Sequence, residues 1–226
     1  MMEKKVINVV VIDDHRMFTK QLKDIIQEVG EKESMRINTV EVHSSAQAMD
    51  LLEQTSLAYT IDFVFLDIKL PHMAEKNIIT GEDIGLMIKK RYPKSKIVIV
   101  TTYNEPYRIG TLLKQLDPAA FLIKSDLDPK EFYLIIRQII TGVKYYSPTV
   151  LTVLESYMRN DYNLDEIDRR ILYELASGAN LSEIAEIVPL SRSALAKRKS
   201  QLRIRLNVKS AENRKLIETA RELGLI

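Results

Sequence analysis

Three carboxylates and one ammonium stand where hydrophobic runs stop. Asp13 and Asp14 follow Val9-Val10-Val11-Ile12, Asp67 follows Phe63-Val64-Phe65-Leu66, and Lys124 follows Phe121-Leu122-Ile123. A fourth run, Lys96 to Val100, ends on the hydroxyls of Thr101 and Thr102. Clustered carboxylates repel one another, and a protein holds them together chiefly to bind a hard divalent cation such as magnesium. One carboxylate beside such an ion can act as a nucleophile toward phosphorus, giving an aspartyl phosphate, with metal and lysine neutralising the equatorial oxygens. Asp67 is the candidate nucleophile, because Ile68-Lys69-Leu70-Pro71 behind it forms a loop that can expose the side chain. Taken singly, each of these residues is an ordinary loop acid, cap or surface lysine. It is the set, in this order, that points to phosphoryl chemistry.

The elements that must position them follow from hydrophobic period. Short β-branched runs near 7–12, 38–43, 62–67, 96–101 and 119–123 alternate with helical patterns near 15–29, 45–54, 82–91, 105–115 and 128–141. That alternation specifies a parallel sheet with crossover helices, here a five-stranded, doubly wound α/β domain. Asp128-Pro129 reads as an N-cap and first-turn proline for the last helix, and Gly142 as its stop. Ligands of such sheets bind beyond the carboxyl ends of the strands, where the acids and Lys124 fall. Past Gly142 the pattern changes: residues 143–163 read as a linker containing a helix, and residues 164–226 carry no strand signal. Four helical patterns, near 165–176, 181–187, 191–205 and 210–222, make the tail a small all-α domain.

Composition bounds the rest. The 226 residues suffice for two domains, and 28% charged with 46% hydrophobic residues is ordinary for a globular protein. Cysteine is absent, which excludes disulfides and thiolate zinc sites, and His15, His43 and His72 are too few for a histidine-rich metal centre. No apolar stretch approaches the roughly 18 residues that a membrane span needs, and the strand-like apolar run after Met1 to Lys5 is too short for a signal peptide, so the expectation is a cytoplasmic protein without a membrane partner. The net charge of +2 is unevenly spread: Arg192 to Lys215 holds nine bases and one acid, a local +8. A basic stripe on a helix is the footprint of phosphate-backbone binding. It belongs here to a helix-turn-helix pattern, with Ser182 to Ile187 as the first helix, Val188-Pro189-Leu190 as the turn, and Ser191 capping a second, basic helix.

These residues resemble the receiver domains of two-component response regulators over residues 6 to about 142. Asp13-Asp14 resembles that family's acidic pair, Leu66 to Pro71 its phosphoacceptor motif, Thr101 its switch hydroxyl, Lys124 its lysine and Gly81 its loop glycine. The resemblance implies a flavodoxin-like fold and Mg2+ held by Asp14, Asp67 and the main-chain carbonyl of Lys69, with Asp13 acting through water. It further implies phosphotransfer from a sensor histidine kinase to Asp67, and an aromatic switch at Phe121 that follows Thr101. Two features depart from the pattern: a longer loop, Met73 to Thr80, and Thr102 where many relatives carry alanine or glycine.

The tail resembles a LuxR-type output domain through Leu164, Ile171-Leu172, Leu175 to Gly178, Glu183-Ile184-Ala185, Ser191, Leu206-Asn207-Val208 and Gly224-Leu225-Ile226, and Tyr145 to Pro148 resembles the linker of that subfamily. Ala194, Ala196 and Arg198 replace the family's usual threonine, lysine and histidine, and Asp165, Ile167 and Asp168 its threonine and arginine-glutamate. Base specificity therefore does not carry over. The candidates are Arg192, Ser193, Lys197 and Arg198 for bases or nearby phosphates, with Lys199, Arg203 and Lys209 for phosphates. The implied function is a transcriptional regulator that catalyses only its own phosphorylation and binds promoter DNA as a homodimer when phosphorylated. Two rivals stay open: an atypical receiver acting unphosphorylated as an interaction module, and a metal-dependent aspartyl-phosphate phosphatase. The second would usually want its two acids one residue apart, and leaves the basic tail unexplained.

Overall fold

The computed structural model describes residues 5–54, 60–70, 80–159 and 162–226. The chain forms two compact units: residues 1–104 with 112–150, and residues 105–111 with 151–226.

The first unit is a parallel sheet of β1 (Val6–Ile12), β2 (Arg36–Val42), β3 (Phe63–Leu66), β4 (Lys96–Thr101), β5 (Ala120–Ile123) and β6 (Tyr145–Tyr146), in the order β2-β1-β3-β4-β5-β6. The chain leaves β1 on one side to make β2 and returns on the other to make β3. This reversal puts the switch point, where doubly wound sheets bind ligands, between the ends of β1 and β3.

Side chains alternate across a strand, and here both faces are covered. Val9, Val11, Phe63, Phe65, Val98, Val100, Ala120 and Leu122 meet Leu22, Ile26 and Val29 of α1 (Arg16–Lys32) and Phe132, Ile135, Ile136 and Ile139 of α5 (Phe132–Ile140). The alternate residues Val10, Val64, Leu66, Ile99 and Phe121 are equally buried. Burial on both faces is why the strands read as unbroken apolar runs. Helices α2 (Ser45–Gln54) and α3 (Gly81–Arg91) also belong to this unit, and α4 (Pro106–Leu116) and α6 (Pro148–Arg159) are each divided between the two units.

Two elements differ from the sequence expectation. A sixth strand joins the expected five: Tyr145 and Tyr146 pair with Ala120 and Phe121, too short a stretch to leave a periodic signal. Helix α5 starts at Phe132 rather than at Asp128, because the Asp128 carboxylate accepts from the Lys130 N–H at 2.9 Å and spends its cap on a turn. Gly142 does stop that helix, at φ +99°.

The second unit contains α7 (Glu166–Ala176), α8 (Leu181–Ile187), α9 (Arg192–Arg205) and α10 (Asn213–Glu222) around Ile171, Leu172, Ile184, Leu195, Leu202 and Leu216. Capping fixes where three of them begin. Asp165 with Asp168, and Asn180 with Glu183, form reciprocal capping boxes, and Ser191 accepts from the Ala194 N–H to start α9. Among the described residues no helix is long and apolar enough to cross a membrane.

Helix α3 is set against the loop behind Asp67 by a glycine. A β-carbon at Gly81 would lie 2.4 Å from the Asp67 carbonyl oxygen and 2.7 Å from Ile68 Cα, both backbone atoms that cannot turn aside. Gly81→Ala is expected to lower the unfolding free energy by about 1–3 kcal/mol, the usual cost of overpacking, measured by urea denaturation.

Candidate phosphoacceptor site and nucleic-acid face

Ladder register brings the acids together. Ile12 pairs with Leu66, so Asp13 and Asp67 leave their strands side by side, and the Asp67 N–H donates to the Ile12 carbonyl at 2.8 Å. Strand β4 intervenes before β5, since Leu66 pairs with Ile99 and Ile99 with Phe121. Lys124 therefore reaches over β4 with its four-carbon stem. Its Nζ stands 2.6 Å from Asp13 Oδ2 and 2.8 Å from Asp67 Oδ2. Phe18 of α1 supports it from beneath, with its ring centroid 4.8 Å from Nζ and its face stacked on Phe132.

Both bridged carboxylates are withdrawn from water, Asp13 at 2% and Asp67 at 1% exposure. Their second oxygens are satisfied by local amides: Asp67 Oδ1 accepts from the Lys69 N–H at 2.8 Å, and Asp13 Oδ1 from the His15 N–H at 2.9 Å. Burial works against the charge on Lys124, but hydrogen bonds to Asp13 and Asp67 outweigh it and hold its pKa above the usual 10.5. The lysine stays an ammonium at any physiological pH. Because the folded value lies above the unfolded one, its contribution to stability is complete below about 10.5 and fades only as pH rises through the folded value.

Asp14 is more open, and the His15 Nδ1 lies 3.0 Å from its Oδ1. Ligand atoms of Asp13, Asp14, His15 and Asp67 all lie within 4.8 Å of one another. Three oxygen donors at that spacing fit a hard divalent cation. The imidazole beside them belongs to a histidine that sequence reasoning considered only for a histidine-rich centre; its position directly after the acidic pair was the available signal. Thr101 and Phe121 are fully buried, and Thr101 Oγ1 accepts from the Tyr103 N–H at 3.3 Å. Of the long loop expected over Met73 to Thr80, all but Thr80 lies outside the described residues. Thr80 itself caps α3 in a capping box with Asp83.

A family model for the response regulator receiver domain matches residues 9–136, more than half of the chain. The chain belongs to the response regulator family. It is 25% identical over 217 residues to the transcriptional regulatory protein YhcZ of Bacillus subtilis strain 168, covering 88% of this chain and 89% of the relative. It is 24% identical over 160 residues to the transcriptional regulatory protein DegU of Brevibacillus brevis, covering 71% and 61%. Among solved structures its fold is similar to RcsB from Salmonella enterica serovar Typhimurium, bound to the promoter P1flhDC with a phosphomimetic fluoroberyllate. The TM-score is 0.60 at 20% identity, over 94% of this chain and 97% of that one.

The second unit of this response regulator presents α9 through an exposed stripe of Arg192, Ser193, Ala196, Lys197, Ser200, Gln201 and Ile204, one two-residue step per turn. Of the seven candidate DNA residues, Arg192, Ser193 and Lys197 lie on this stripe, and Lys209 is exposed beyond the helix. Lys199 is half-buried, and its burial, with Arg203 nearby, pushes its ammonium pKa down. The Arg203 guanidinium donates to the Ala211 carbonyl and to Asn213 Oδ1, which ties it to the α9–α10 loop. Arg198 is half-buried off the stripe, with its guanidinium on Asp165 and Asp168. Gln201, whose amide can pair two edge atoms of adenine, was not among the residues that the basic pattern singled out.

Removing the Lys124 charge should expose the repulsion that it masks. Lys124→Met is expected to destabilise the metal-free protein by about 3 kcal/mol, as for other buried pairs that lose one partner, and added Mg2+ should recover part of the loss in a thermal melt.

Proposed function

We propose that this response regulator is a cytoplasmic protein that takes a phosphoryl group onto Asp67 from a sensor histidine kinase and, in that form, pairs as a homodimer on promoter DNA to regulate transcription. The observation that carries the reading is the Lys124 ammonium shared by Asp13 and Asp67 at the switch point, with the buried Thr101 hydroxyl ending the strand that lies between Asp67 and Lys124.

Asp67 is oriented before any donor arrives, because its Oδ1 is fixed by the Lys69 amide and its Oδ2 by Lys124. Attack by a carboxylate oxygen forms a P–O bond as the P–N bond of the donor phosphohistidine breaks, and the imidazole leaves with the electron pair. Lys124 then exchanges its contact with the Asp67 oxygen for one with the incoming phosphoryl oxygens, and Thr101 can turn its hydroxyl from the Tyr103 amide toward them. Phe121, buried two rungs from the end of β5, would report that turn by moving into space that Thr101 leaves. A divalent cation held by Asp14, Asp67 and the Lys69 carbonyl, with Asp13 acting through water, would neutralise charge on the phosphoryl oxygens.

The DNA side of the proposal rests on the capped α8, the short turn and the exposed face of α9, the arrangement in which a second helix enters a major groove. Similarity to relatives named as transcriptional regulators, and to RcsB bound to promoter DNA, supports it. An unphosphorylated interaction module would leave the assembled acid, lysine and hydroxyl without a use.

The test is retention of random genomic DNA fragments by the wild type and by Asp67→Asn, each treated with acetyl phosphate and Mg2+ and followed by sedimentation. Wild type should shift toward dimer and enrich fragments bearing paired half-sites, while Asp67→Asn, nearly isosteric, should stay folded and do neither. Equal enrichment by both would detach DNA binding from Asp67, and none by either would remove the nucleic-acid reading.

A further inference from the structure

Helix α7 carries a carboxylate where its pattern calls for an apolar residue. Asp168 sits three and four residues before Ile171 and Leu172 and is 1% exposed. A carboxylate so placed is stable only with partners: beside the Asp165 N–H of its own capping box, both of its charged partners come from α9. Arg198 Nη1 stands 2.9 Å from Asp168 Oδ1, and Arg205 Nη1 stands 2.7 Å from Asp168 Oδ2. The two arginines are seven residues apart, two turns along one side of the helix. Arg198 is drawn in further by Asp165, whose Oδ2 lies 2.6 Å away, and Arg205 also donates to the Asn163 carbonyl at 2.9 Å. Burial raises the Asp165 pKa, but the hydrogen bond from Arg198 and those from neighbouring amides prevail and hold it below the usual value. A group with a depressed folded pKa stabilises above its unfolded value and loses that contribution as pH falls through the folded one, so this pairing is complete at neutral pH.

We propose that Arg198 is a positioning residue: with Arg205 it clamps α9 to the start of α7 through Asp168 and Asp165, and it makes no contact with DNA itself. The inference rests on the nucleic-acid reading of α9 and narrows it. Arg198 lies off the stripe of Arg192, Ser193, Ala196, Lys197, Ser200 and Gln201, and its charge is already neutralised within the domain. The clamp fixes the roll of α9, which decides which residues of the stripe face a groove, and so two of the helix's positive charges serve orientation rather than phosphate contact.

A salt series separates the two roles, because each phosphate contact adds about 0.9 to the slope of log affinity against log salt. Full-length wild type, Lys197→Gln, Arg198→Gln and Asp165→Asn are compared by fluorescence anisotropy on a random-sequence DNA duplex. Asparagine keeps the helix cap at 165, so that variant folds. Lys197→Gln should flatten the slope. Arg198→Gln and Asp165→Asn should each weaken binding several-fold at the wild-type slope, and Arg198→Lys should restore most of the affinity. The sign for Asp165→Asn is the sharper outcome: deleting an acid from a DNA-binding face would ordinarily tighten binding, whereas the clamp predicts weaker binding. A slope flattened by Arg198→Gln, or tighter binding by Asp165→Asn, overturns the proposal. If wild type fails to bind the duplex, the nucleic-acid reading fails on its own, and a double-mutant cycle in thermal unfolding decides the clamp. Coupling between positions 165 and 198 sustains it, and strict additivity removes it.

Discussion

The ammonium of Lys124 between two buried carboxylates is the interaction on which the candidate phosphoacceptor site depends. Asp13 and Asp67 are brought side by side by the register of adjacent parallel strands, and neither could remain charged there alone at a tolerable cost. One ammonium at 2.6 and 2.8 Å compensates both, yet it leaves a cluster in which Asp14 and Asp67 retain affinity for a further positive charge. The site is thus balanced for exchange. On the proposed function, an arriving phosphoryl group would bring negative charge to a place where one cation is already held and a second fits, and Lys124 would need only to shift its contact along the same pocket. The aromatic platform of Phe18 and Phe132 and the exclusion of any side chain at Gly81 keep that geometry from relaxing.

The second unit applies the same physics to a different end. Asp168 is again a buried carboxylate with two cationic contacts, but it carries no open position and both oxygens are taken by guanidinium groups. Where the phosphoacceptor cluster can trade partners, this one is closed. On the two proposals, the contrast separates a site built for chemistry from a contact built for orientation, although both begin with an acid in an apolar setting.

Much of this was legible in the sequence for an identifiable reason. Strands covered on both faces appear as unbroken apolar runs, so their ends, and the residues Asp13, Asp14, Asp67, Thr101 and Lys124 placed there, could be read directly. The helix cap at Ser191 was likewise written in residue type, whereas those at Asp165 and Asn180 emerge only with the structure. What escaped depended on direction rather than type. An arginine on a basic helix looks the same whether it faces solvent, as Arg192 does, or turns inward to an acid, as Arg198 does. Asp128 followed by proline matches a helix start, and only the structure reveals that its carboxylate closes a turn instead. Phe18 gave no sign that it lies beneath Lys124, because that contact joins the first helix to the fifth strand. The short pairing of Tyr145 and Tyr146 with β5 has no period to detect.

The central claim is that Asp67 accepts a phosphoryl group in the pocket that Lys124 now bridges. The measurement that tests it most directly is 19F NMR of the full-length protein with beryllium fluoride and Mg2+, alone and after Asp67→Asn. A bound fluoroberyllate resonance in wild type that vanishes in the variant is the result this account predicts. A bound resonance that persists without Asp67, or its absence from wild type, would contradict it.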